Sequence, residues 1–193
     1  MLQLSNEDRG ELLRMARQAI VEAVVRGRIP SLTPLHGALA KPAGAFVTLH
    51  RRERLMGCVG HIEPDEPLGD VVVRCAIASA LHDSRFQPVR PEEITELTIE
   101  ISVLTAPERI SPESIEIGQH GLIVERGRIK GLLLPQVAAE RNWTRERFLE
   151  ETCLKAGFPA DAWKDSQTHV YAFRAEVFGE DAKEDAGFSP QQR

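Results

Sequence analysis

Ala45-Phe46-Val47-Thr48-Leu49-His50, the turn Arg51-Arg52-Glu53, and Arg54-Leu55-Met56-Gly57-Cys58-Val59-Gly60-His61 form two strand-like runs joined by charged residues. Short apolar runs separated by a few polar residues read as a β-hairpin. Side chains alternate faces along a strand. Arg54, Met56 and Cys58 are therefore expected on one face, and Leu55, Gly57 and Val59 on the other. Two glycines flank the thiol. The one beside it, Gly57, permits close backbone approach or a sharp exit turn.

Upstream, Ser5-Asn6-Glu7-Asp8 has the form of a capping box, with an acid three residues after the serine. Leu12, Ala16, Ala19, Ile20, Ala23 and Val24 then recur at helical spacing, and Gly27 marks the C-cap region. The pattern predicts an amphipathic helix covering a sheet. Residues 28–44 carry Pro30, Pro34, Gly37, Pro42 and Gly44, too many breakers for a long regular element. An ordered loop is expected there, with Ile29, Leu32, Leu35 and Leu39 buried.

Downstream, Glu63-Pro64-Asp65-Glu66-Pro67 is a turn. A helix through Val71, Val72, Cys75, Ala76, Ala78 and Ser79 runs to about His82, with small residues on one side for close packing. Asp83-Ser84-Arg85-Phe86-Gln87-Pro88 ends it. Pro91-Glu92-Glu93-Ile94 reads as one helical turn, and Thr98 to Leu104 alternates as a half-buried strand does. After a looser segment the pattern begins again. It has a strand at 121–125, a turn at Arg126-Gly127 and a strand at 128–134 stopped by Pro135. Helices follow at about 135–141 and 144–157, then one alternating strand from Val170 to Phe178. The acidic tail 181–193 is expected to fray.

One constant offset carries Arg54, Leu55 and Gly57 to Arg128, Ile129 and Gly131. It also carries Ile99, Ile101 and Val103 to Phe173, Ala175 and Val177. The match reads as two β-β-α-α-β units, about 45–106 and 120–179, within one domain 1–180. Coincidence between generic patterns is the competing explanation. The fold class is α+β, mostly antiparallel sheet with helices on one side, as a larger and a smaller lobe with a cleft between them.

Net charge is −5, which disfavours nonspecific nucleic-acid binding. Three cysteines at 58, 75 and 153 have no metal-ligand spacing, and their odd number argues against a disulfide framework. No signal-peptide pattern and no apolar run of transmembrane length occurs. A reducing, cytoplasmic setting without membrane insertion is the expectation.

These residues resemble the AMMECR domain family, also called AmmeMemoRadiSam system protein A, whose hallmark is a Leu-Arg-Gly-Cys-Ile-Gly hexad. Here it stands as Leu55-Met56-Gly57-Cys58-Val59-Gly60. Further matches are Asp83-Ser84-Arg85-Phe86 with Pro88, Glu100 to Thr105, His120-Gly121-Leu122, Gly131 to Val137, and Lys155-Ala156-Gly157. The resemblance implies a two-part α+β fold with a cleft near the hexad. It also implies two partners, a Memo-type protein, similar to metal-dependent aromatic ring-cleaving dioxygenases, and a radical SAM protein. It carries over no reaction. The hexad's arginine is Met56 here, expected on the Cys58 face about 7 Å along the strand. An arginine there could lower the thiol pKa and hold an anion; methionine does neither. Either the thiolate is not central, or Arg54 or Arg85 supplies the charge.

Cys58 is read as a nucleophile or ligand at a strand end, or else as a small buried hydrophobe. Cys75 and Cys153 fall in helical patterns and belong to the core. His61 faces away from Cys58 in an unbroken strand; a turn at Gly60 would bring it round as a general base. His120 opens the second unit and could reach the cleft, or is a loop residue. Asp83 and Arg85 form a pair that holds a loop, or a clamp for an anionic group. Glu100 shares its strand face with Ser102, pointing into the cleft as an acid or base or lying on a solvated face. Gln136, after Pro135, could donate a hydrogen bond to substrate. No cofactor and no metal site is assigned, and a Met56/Cys58 pair lacks a third soft ligand.

Two functions stay open. One is an enzyme or enzyme subunit acting on an unknown small polar ligand, by thiol-based acyl or redox chemistry. The other is a noncatalytic adaptor for a Memo-type or radical SAM partner. A nucleic-acid accessory factor fits the acidic balance poorly.

Overall fold

The computed structural model of the protein describes residues 2–29 and 34–180. Leu32 and the tail 181–193 lie outside the described residues. Helix α1 (Asn6–Arg26) begins at the expected capping box. The Asp8 N–H donates to Ser5 Oγ at 3.1 Å, and the Ser5 N–H donates to the Asp8 carboxylate at 2.9 Å. Gly27 closes the helix in the left-handed region at φ 62°, its N–H reaching the Ala23 carbonyl. Ser5→Ala should lower stability by about 1 kcal/mol in a urea titration, because it frees an N-terminal donor.

The hairpin follows as β1 (Ala45–Arg51) and β2 (Arg54–His61). Then come α2 (Leu68–Leu81), a 3-10 turn (Pro91–Glu96) and β3 (Leu97–Leu104). With β8 (Ala175–Gly179), these strands make an antiparallel sheet of order β2-β1-β3-β8. Alternate residues Val47, Leu49, Ile99, Ile101 and Val103 bury against Leu12, Ala16 and Ile20 of α1 and Val71, Val72 and Cys75 of α2. Both helices therefore cover one face.

The second lobe contains β4 (Glu108–Arg109), β5 (Gly121–Arg126), β6 (Ile129–Leu133), α3 (Pro135–Glu140), α4 (Arg145–Lys155) and β7 (His169–Phe173). Its sheet order is β4-β7-β5-β6. Leu122, Val124, Val170 and Ala172 pack with Ala138 of α3 and Phe148, Leu149 and Cys153 of α4. A smaller apolar cluster joins the lobes, with Phe46, Ile62 and Leu104 meeting Ile123, Leu132, Tyr171 and Phe173. The architecture is thus α+β, two antiparallel sheets each carrying helices on one face. Among the described residues, no helix is long and apolar enough to cross a membrane.

Three expectations need correction. The alternating run Val170–Phe178 is not one strand, because it breaks at Arg174 and passes from the second sheet to the first. Arg174 is held at the crossing by its N–H to Thr105 Oγ1 (2.9 Å) and by the Thr105 N–H to its carbonyl (2.9 Å). The constant offset also fails in the third strand. Ile99 stands opposite Leu49 as Val170, not Phe173, stands opposite Val124, although β2-β1-β3 and β6-β5-β7 share one pairing order. Lastly, Ile29 is 81% exposed, whereas Leu39 is buried and Leu35 half-buried.

Candidate functional site

Strand β2 lies at the edge of the first sheet, and its approach to α2 is set by Gly57. A Cβ there would sit 2.0 Å from the Ser79 carbonyl oxygen. Glycine lets the helix backbone rest on the strand. Ser79 completes the junction, its hydroxyl accepting the Val59 N–H (2.9 Å) and donating to the Val47 carbonyl (2.7 Å).

The alternation expected along β2 is interrupted. Gly57 pairs with Leu49 and Leu55 with His50, which leaves Met56 as the extra residue of a β-bulge. Met56 consequently joins the core beneath the helices and does not share a face with Cys58. The position of the hexad's arginine is therefore occupied by a core side chain, and Met56 cannot form a soft-ligand pair with the thiol.

Cys58 pairs with Thr48, and Thr48 with Glu100. The neighbours of Thr48, Val47 and Leu49, face the helices, so this row lies on the opposite face, toward the second lobe. Thr48 is nearly buried, and its hydroxyl donates to Cys58 Sγ at 3.3 Å. Cys58 is half-buried, while Cys75 and Cys153 are buried in α2 and α4. Burial pushes the Cys75 thiol up to about 11. With strands spaced about 4.8 Å apart, Cys58 and Glu100 are about 10 Å apart across the row.

Asp83 and Arg85 act on the backbone of the cysteine. The Cys58 N–H donates to Asp83 Oδ2 at 2.9 Å, and Arg85 Nη2 donates to the Cys58 carbonyl at 2.9 Å. Between them runs a two-pronged pair, Arg85 Nε to Oδ1 (2.9 Å) and Nη2 to Oδ2 (2.7 Å). They thus satisfy groups that an edge strand would leave open. The Arg85 guanidinium first, and the Cys58 N–H after it, hold the Asp83 carboxyl down at about 2 against the opposing effect of burial.

Glu100 reaches a cavity of about 430 Å³ between the lobes, shared with Gln136, Glu140, Gln119 and Arg174. His120 lines a different interlobe cavity with Arg109 and Thr105, and its Nδ1 accepts the Glu116 N–H at 3.1 Å. His61 is not brought round. Strand β2 continues through it without a turn at Gly60, and it pairs with Ala45, a core-facing residue. Its Nε2 lies 2.6 Å from Asp65 instead. The fold therefore groups Cys58 with Asp83 and Arg85, aligns Glu100 with Cys58 across Thr48, joins Gln136 to Glu100, and sets His61 and His120 elsewhere. Sequence reasoning passed over Thr48 and Arg174. Thr48 was legible as the polar member of an apolar strand opposite the cysteine; Arg174 carried no signal before the strand crossing was known.

These features define a two-lobed α+β protein with a half-buried cysteine on the hairpin of its first sheet. The AMMECR1 family model matches residues 13–178, and the chain belongs to that family. A protein of Thermococcus gammatolerans is 48% identical over 184 residues, covering 88% of this chain and 89% of the relative. One from Methanothermobacter thermautotrophicus is 45% identical over 189 residues, covering 92% and 97%. The crystal structure of the uncharacterized protein PH0010 from Pyrococcus horikoshii superposes with a TM-score of 0.83 at 44% identity, covering 89% of this chain and 90% of that one.

Proposed function

We propose that the groove between the two sheets binds a small polar molecule and that Cys58 contacts or reacts with it. The observation carrying this reading is the strand register, which sets Cys58, Thr48 and Glu100 in one row on the face toward the second lobe. Glu100 continues that row into the interlobe cavity. Two carboxylates, Glu100 and Glu140, stand there against one guanidinium, Arg174. That balance suits a ligand bearing a cationic or hydrogen-bond-donating group, oriented by the Gln136 and Gln119 amides.

The test is the order of alkylation by iodoacetamide in the native protein. Cys58 should react first, with Cys75 and Cys153 modified only on unfolding, and Cys58→Ser should abolish the fast phase. A Cys58 as slow as the two core thiols would end the thiol reading.

A second reading is favoured by the engagement of Arg85 with Asp83 and the Cys58 carbonyl, and by the burial of Met56. The first pairs off a cation that could activate a thiolate, and the second puts an uncharged core side chain where the hexad has arginine. In that case the groove serves an adaptor within the AmmeMemoRadiSam system, docking a Memo-type or radical SAM partner without chemistry of its own. Co-purification with either partner, undiminished by Cys58→Ser, would favour it.

A further inference from the structure

His61 is a chemistry-bearing residue that the groove leaves unused. We propose that His61, Asp65 and Glu66 bind one divalent transition-metal ion at the turn between β2 and α2. This site lies on the opposite face of β2 from Cys58 and is independent of the groove.

The side chain of His61 is only 20% exposed, at the end of a strand paired residue by residue with β1. It is the fixed element. Its Nε2 stands 2.6 Å from Asp65 Oδ1 and 3.9 Å from Glu66 Oε1, and one donor atom from each residue lies within 4.8 Å of the others. Metal–nitrogen and metal–oxygen bonds are about 2.0–2.2 Å long, so donors sharing one ion stand about 3–3.6 Å apart. Asp65 must withdraw by less than about 1 Å and Glu66 approach by a similar amount. Both carboxylates are more exposed than the imidazole and sit in the turn before α2, where such movement is cheap. One imidazole nitrogen with two carboxylates suits zinc, cobalt or nickel better than magnesium or calcium, which favour oxygen alone. Three protein ligands leave positions open for water or a small anion.

Arg74 gives this site its distinguishing mark. Its Nη2 lies 2.9 Å from the same Glu66 oxygen, so the guanidinium competes with the ion for that ligand. Removing the arginine should therefore tighten metal binding, whereas a purely structural ion-pair cluster predicts no gain.

The experiment titrates the tag-free full chain with Zn²⁺ by calorimetry and with Co²⁺ by visible absorption. One equivalent should bind without a sulfur-to-cobalt charge-transfer band. His61→Ala should weaken binding about tenfold or more, and Arg74→Ala should strengthen it several-fold. Asp65→Asn, on an exposed turn, repeats the loss where the histidine variant fails to fold. Failure of both the wild type and Arg74→Ala to bind stoichiometrically would overturn the proposal. So would unchanged affinity in Asp65→Asn, or a thiolate band assigning the ion to a cysteine.

Discussion

Gly57→Ala is expected to destabilise the protein by about 3 kcal/mol or more, read as a lower urea midpoint with the slope little changed. The added methyl would lie 2.0 Å from the Ser79 carbonyl oxygen and 2.9 Å from its carbon, both backbone atoms of α2. Neither can swing aside as a flexible side chain does. The helix must retreat by more than about 1 Å to restore ordinary contact, stretching the Ser79 hydroxyl away from Val59 and Val47 and loosening Val71, Val72 and Cys75 against the sheet. Gly60→Ala is the control. The three atoms nearest its methyl belong to the ring of Phe46, a side chain and not the backbone of a helix, so the loss should be smaller. Equal midpoints for Gly57→Ala and wild type would show that the strand–helix distance is not fixed as described.

Asp83→Ala should cost about 2–4 kcal/mol at neutral pH. The substitution leaves the Cys58 N–H without its acceptor and Arg85 without its carboxylate. Arg85→Ala should cost less, because its side chain is 55% exposed and its interactions are screened, whereas that of Asp83 is 6% exposed. The pair also sets a pH dependence. The folded pKa of Asp83, about 2, lies below the unfolded value near 3.9. Its contribution is therefore complete above about pH 4 and is lost as pH falls through about 2. The shift corresponds to about 2 kcal/mol at most, discounted for the exposure of Arg85. Urea titrations between pH 5 and about 2 should show a shallower acid loss in Asp83→Ala than in wild type. Parallel profiles would mean that the carboxylate is not ionised against Arg85 in the folded protein.

How far the site was legible can be judged residue by residue. Cys58, Asp83 and Arg85 were all marked by the sequence, and the Asp83–Arg85 pair forms as the sequence suggests. Its hold on the cysteine's own backbone is what the sequence does not record. Glu100 and Gln136 were singled out separately, and their shared cavity depends on how the lobes meet. Met56 shows the sharpest limit. Period-two alternation puts it beside Cys58, and a single bulge opposite Leu49 and His50 sends it into the core.

The sequence by itself determined the capped first helix, the hairpin, the cysteine between glycines and the α+β class. Each rests on local periodicity, cap chemistry or steric need within a few residues. Only the tertiary structure decided the bulge at Met56, the break at Arg174 and the company kept by His61 and His120. Those depend on partners distant in the chain. Gly57 must accommodate Ser79, Arg174 must answer to Thr105, and a strand's register is settled by the surface it packs on, which no local pattern records.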